Sequence, residues 1–73
     1  MRKNLKEARQ KAGMTQQQMA DKLGVGLRHY KKIESGETLG SIEMWDIMED
    51  LFSVHQRQLR QISESHPDKA DNL

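Results

Sequence analysis

Ala20 and Gly24, four residues apart within residues 16–25, restrict what this chain can fold into more than any other feature. Two short helices packed nearly at right angles leave room at their inner corner for only a small side chain, and the turn between them needs a residue that tolerates positive φ. Ala20 meets the first need and Gly24 the second. With Gln16 as the first position of the unit, Ala20 is fifth and Gly24 ninth, while Met19, Leu23, Val25, Tyr30 and Ile33 fall where apolar groups must face inward. A lone glycine or alanine carries little weight, but seven constraints met within eighteen residues define a helix, a tight turn and a second helix.

Local signals extend this unit in both directions. A first helix over residues 2–11 places Leu5, Ala8 and, just past its end, Ala12 on one face and stops at Gly13. Met14 enters the core, and Thr15 with Gln18 forms a capping box that starts the second helix at Gln16 and carries it to about Leu23. The third helix covers residues 27–35, terminated by Gly36 in a left-handed cap. Ser41 is a good N-cap for a fourth helix over residues 42–52, and Ser53 is expected to cap a fifth over residues 54–64. From Ser65 the chain is polar and contains its single proline, Pro67, so a domain of residues 1–64 with a flexible tail of residues 65–73 is expected. The fold class is all-α.

Charge orders the same elements by function. Residues 1–36 hold nine Lys/Arg against three acids, whereas residues 37–73 hold three against eight. The basic half contains the two-helix unit, a polarity that orients a domain on a polyanion and keeps its far side away. With no cysteine there is neither a disulfide framework nor a thiolate metal site. The N-terminal segment has no apolar run of signal-peptide or membrane-span length, so a soluble, cytoplasmic protein is expected. A core built from 73 residues is small, and a partner subunit would add to its stability.

These residues resemble the small DNA-binding domains of lambdoid phage repressors, Cro proteins and Xre-like bacterial regulators. The likeness runs from about Asn4 to Val54 and is carried by residues 5–9 (Leu-Lys-Glu-Ala-Arg), Thr15 and Gln16, Leu23, Gly24 and Val25, and Ile33 to Gly36. It implies a small five-helix bundle of the lambda-repressor-like type that binds double-stranded operator DNA, often as a homodimer on an inverted repeat. It also places the base-reading positions at Leu27, Arg28 and Lys32, assigns phosphate contacts to Gln16 and Ser35, and pairs Arg9 with Glu34 as a structural link from the first helix to the end of the third. Glu37 departs from the pattern, since many relatives carry a cation just after the glycine, and Leu39 and Gly40 replace a common proline-containing turn.

The side chains support most of these roles on their own chemistry. Arg28 at the tip of the third helix is the best base reader, because its fork matches guanine N7 and O6, whereas Leu27 offers only van der Waals contact, as to a thymine methyl. Gly26 permits close backbone approach, and Lys31 reads as a phosphate contact. Gln16 lies at a helix N-terminus, where free N–H groups and the dipole favour phosphate. With Thr15 and Ser35 these make up the expected backbone-contact set. Tyr30 is expected in the core with its hydroxyl at the edge, within reach of a phosphate.

The fourth helix carries two adjacent apolar stripes, Ile42, Trp45, Met48 and Phe52 beside Met44, Ile47 and Leu51. By the resemblance the first stripe is core, so the second needs a cover. Either the fifth helix folds back over it through Leu59 and Ile62, or a second subunit covers it. A dimer whose interface comprises Met44, Ile47, Leu51, Leu59 and Ile62 is the expectation.

Other chemistries lack parts. His29, His55 and His66 have no i, i+4 partner among themselves, so no metal is expected, and the acids Glu43, Asp46, Glu49 and Asp50 form a solvated face. No nucleophile–base pair or phosphate-cradling glycine loop is present, which leaves no enzyme, cofactor or small-molecule ligand to expect. A sequence-specific transcriptional regulator, repressor or Cro-like, is the reading. The rival is a protein-interaction module, an antitoxin or accessory regulator, that uses the same fold to bind another protein through Met44, Ile47 and Leu51.

Overall fold

Capping chemistry sets the helix limits in the computed structural model, which describes residues 1–62. The elements are α1 (Lys3–Lys11), α2 (Gln16–Leu23), α3 (Leu27–Ser35), α4 (Ile42–Phe52) and α5 (Gln56–Arg60), with no strand among the described residues. At the start of α2 the Thr15 hydroxyl accepts the Gln18 N–H at 3.1 Å, and the Gln18 carboxamide oxygen accepts the Thr15 N–H at 2.8 Å. Gly24 ends α2 at φ 74°, a left-handed conformation that a β-carbon disfavours. The Ser41 hydroxyl accepts the Met44 N–H and opens α4.

The core is formed by Leu5 of α1, Met19 and Ala20 of α2, Tyr30 and Ile33 of α3, Met44, Trp45 and Met48 of α4, and Leu59 of α5. α2 packs on α3, while α5 packs on both α1 and α4. Ala20 has no exposed surface, as the tight α2–α3 corner requires.

Several expectations are corrected. Met44 is 6% exposed and Leu59 fully buried within the single chain, so neither offers surface to a second subunit. Ile42, expected in the core, is 73% exposed. The buried arc of α4 centres on Met48 with Met44 and Trp45 to either side, and at about 100° per residue Ile42 lies roughly 120° round the helix from Met48. Phe52 and Leu51 are half-buried, whereas Ile47 and Ile62 are exposed, and Ala12 lies in solvent. α5 begins at Gln56 and spans five residues. Ser53 does not cap it. Ser53 adopts φ 56° and closes α4, and the ring nitrogen Nδ1 of His55 takes the cap position by accepting the Arg57 N–H. α1 starts at Lys3, leaving Arg2 as a buried residue ahead of it. The expected tail of residues 65–73 lies outside the described residues.

Candidate nucleic-acid interface

The exposed side of α3 carries Arg28, His29, Lys31 and Lys32, and its inner side carries Tyr30, Ile33 and Glu34. Arg28 and Lys32 are one helical turn apart and share a face, with Lys31 beside them. Leu27 is half-buried at the first position of α3, and Gly26 before it is exposed with extended backbone. No side chain caps α3 at Gly26, so the first-turn N–H groups of α3 carry no side-chain partner there.

The orientation of α3 is set from inside by one carboxylate. Glu34, 2% exposed, receives four hydrogen bonds. Its Oε2 accepts Arg9 Nε at 2.8 Å and the Tyr30 hydroxyl at 2.7 Å. Its Oε1 accepts Arg9 Nη2 at 3.3 Å and Gln16 Nε2 at 3.0 Å. A carboxylate offers about four lone-pair sites, so all are filled. The Arg9 fork also donates to the Met14 carbonyl at 2.7 Å, which ties α1 to the loop before α2.

Burial alone would push the Glu34 carboxyl above the ordinary carboxylate range, but the bonds from Arg9 and Tyr30, the Arg9 charge and the Gln16 bond hold it below. The Glu34 bond raises Arg9 against the opposing effect of its own burial. Burial, then the bond to Glu34, pushes the Tyr30 phenol far up, so it stays protonated and donating. The Arg9–Glu34 pair is present as the resemblance implied. The Tyr30 expectation is half corrected: the ring is in the core, but the hydroxyl is spent on Glu34 and does not face outward.

The other expected contact residues fall around the α2–α3 unit. Gln16 is half-buried with its carboxamide held by Glu34, and Thr15 is exposed with its hydroxyl oxygen engaged in the cap. Ser35 is exposed, but its hydroxyl donates to the Lys32 carbonyl at 3.0 Å, so donation to a phosphate requires that hydroxyl to turn. Sequence reasoning missed the Gln16–Glu34 bond, and it missed Arg2. The Arg2 guanidinium donates to the carbonyls of Ile33 at 2.6 Å, Thr38 at 2.9 Å and Arg60 at 2.9 Å, and lies 5.3 Å from the Trp45 ring centre. Among the described residues no group of three or more His, Cys, Asp or Glu is placed to hold a metal, and no helix is long and apolar enough to cross a membrane.

A short helix, a tight turn through Gly24 and a second short helix, basic on its outer face and locked from inside, make up the architecture of a helix-turn-helix domain, and residues 5–62 match the family model described as Helix-turn-helix. The chain belongs to the Xre/lambda repressor-like helix-turn-helix family, a family of DNA-binding regulatory domains. No curated protein and no solved structure matches it.

Proposed function

We propose that this protein is a sequence-specific transcriptional regulator, repressor or Cro-like, which occupies operator DNA through α3. The observation that carries the reading is the exposed Arg28–Lys32 face on a helix whose inner side is fixed by the Glu34 network. In this reading Leu27, Arg28 and Lys32 meet base edges in the major groove. Thr15, Gln16, Gly26, Lys31 and Ser35 meet the sugar–phosphate backbone. Residues 1–64 form the binding domain, acting in the cytoplasm of a bacterium, encoded by the host or a phage. Two copies bind an inverted repeat, with α3 helices about 34 Å apart in successive major grooves. With Met44 and Leu59 internal, the residues of the expected interface that still offer apolar surface to such a dimer are Ile47 and Ile62, with the half-buried Leu51 beside Ile47.

The test is a selection of bound sequences from random duplex DNA, followed by titration of Arg28→Ala on the selected site. Arg28→Ala loses about 1–3 kcal/mol of preference at one base pair per half-site, and nonspecific affinity changes less. Equal losses on selected and random DNA would remove Arg28 from the base-reading set. Failure to enrich any sequence would favour the protein-interaction reading instead.

A further inference from the structure

The Gln16 carboxamide has two possible orientations, and the structure contains a chemical reason for one of them. An ionised carboxylate can only accept hydrogen bonds, so Glu34 Oε1, at 3.0 Å, must face the Gln16 NH2 group and not its oxygen. That bond uses one of the two Nε2 hydrogens. The second hydrogen and the Gln16 backbone N–H, free of the helical ladder at the first position of α2, remain to donate outward. A phosphate accepts and does not donate. Without Glu34 the amide would sample both orientations, one of them presenting oxygen to phosphate.

We propose that Glu34 is the positioning residue for the Gln16 phosphate contact, selecting the donating orientation of the carboxamide from inside the domain. The inference rests on the reading that Gln16 meets phosphate. Charge would otherwise argue against it, because a carboxylate behind a phosphate-binding group repels the anion. Arg9 answers that objection: its guanidinium contacts both oxygens of Glu34 and neutralises the pair. Glu34 sits in the last turn of α3, so the same bond also sets the position of the α2 N-terminus relative to the reader helix.

Affinity for mixed-sequence duplex DNA tests this, since phosphate contacts are blind to sequence. The variants are Gln16→Ala, Glu34→Gln and their double mutant, each measured where its helix signal shows it folded. Glu34→Asp serves as a second probe, because it keeps the charge facing Arg9 but withdraws the carboxylate from Gln16 by one methylene. Tyr30→Phe is the control, since it removes a different bond from the same carboxylate. Gln16→Ala is expected to weaken binding about five- to tenfold, the scale of one hydrogen bond to a charged group. Glu34→Gln and Glu34→Asp are expected to weaken it several-fold when Gln16 is present and by less than about twofold when residue 16 is alanine. Tyr30→Phe is expected to lower thermal stability while its effect on affinity is the same in both backgrounds. If both Glu34 variants cost the same with and without Gln16, Glu34 acts through the fold alone and the inference fails while the phosphate contact stands. If Gln16→Ala leaves affinity unchanged, the phosphate reading itself fails, and the inference with it.

Discussion

Arg2 is 4% exposed, carries a charge and has no carboxylate partner among the described residues, which makes Arg2→Met a searching test of how this fold is held together. Its charge is lowered in stability by burial and then by the neighbouring Arg60, so something must oppose both. The three carbonyls it contacts identify what does. Ile33 and Arg60 lie at the C-terminal ends of α3 and α5, where helix dipoles present partial negative charge, and Thr38 lies in the loop after α3. The Arg2 N–H also donates to the Glu34 carbonyl at 2.8 Å. Arg2 therefore acts as a shared C-cap for two helices that converge on it, and stacks its guanidinium on Trp45.

Methionine keeps the apolar stem against Trp45 and removes the donors. The Ile33 carbonyl retains the Gly36 N–H at 3.2 Å, so the larger loss falls on the Thr38 and Arg60 carbonyls. Bonds to a charged group are worth about 1.5–3 kcal/mol each, and the recovered desolvation of the guanidinium offsets part of that. A net loss of about 2–4 kcal/mol follows, a large share of the roughly 5–10 kcal/mol expected for a domain of this size. Thermal unfolding followed by circular dichroism should show a Tm about 10–20 °C lower, and amide exchange at Leu59 and Arg60 should accelerate as α5 loosens. Arg2→Lys recovers less than half, because one ammonium cannot span carbonyls on both sides of a planar fork. A Tm for Arg2→Met within about 4 °C of wild type would refute the clamp.

Two further outcomes are expected. Ile47→Glu leaves the helix signal intact and shifts the sedimentation mass from dimer to monomer with weaker operator binding, whereas Leu59→Glu, a charge in a fully buried position, unfolds the domain; a wild type that is monomeric at high micromolar concentration would remove the dimer. Because the Glu34 carboxyl is held below its ordinary range, its contribution to stability is present above about pH 4.3 and is lost as pH falls through its folded value, so the Tm curves of wild type and Glu34→Gln converge in acid; a constant gap between them from neutral pH to pH about 2 would show that the charge contributes nothing.

Elements fixed by nearest-neighbour chemistry were readable in the sequence. The limits of α2, α3 and α4 follow from Thr15 with Gln18, Gly24, Gly36 and Ser41, whose effects reach only three or four residues. What depended on distant partners was not readable. A near-terminal arginine reads as a solvated charge until α3 and α5 bring their carbonyls to it. The two stripes of α4 are visible in the sequence, but which arc faces inward depends on where α5 lies, so the pattern alone puts Ile42 inside and Met44 at an interface, the reverse of their burial in the structure. Ser53 has the composition of an N-cap, yet the reversal between α4 and α5 requires a left-handed residue there. Of the candidate site, the Arg9–Glu34 pair followed from the resemblance. The third partner, Gln16, did not, because a glutamine at a helix start is explained equally well by solvent.

Two of the buried charged residues, Arg2 and Glu34, meet α3 within its last turn. Arg2 holds the carbonyls of Ile33 and Glu34, and the Glu34 side chain reaches α1 and α2. Holding a short helix at its inner C-terminal end leaves the outer side chains of Arg28 and Lys31, which make no hydrogen bond among the described residues, on the side where a duplex would be met. A nine-residue helix is about 13 Å long, so a tilt of about 10° at the anchored end displaces its far tip by about 2 Å, enough to break a bidentate contact with a base. Substitutions at Arg2 or Glu34 that leave the domain folded should therefore cost sequence discrimination beyond their effect on phosphate contacts. Neither side chain needs to touch DNA to do so.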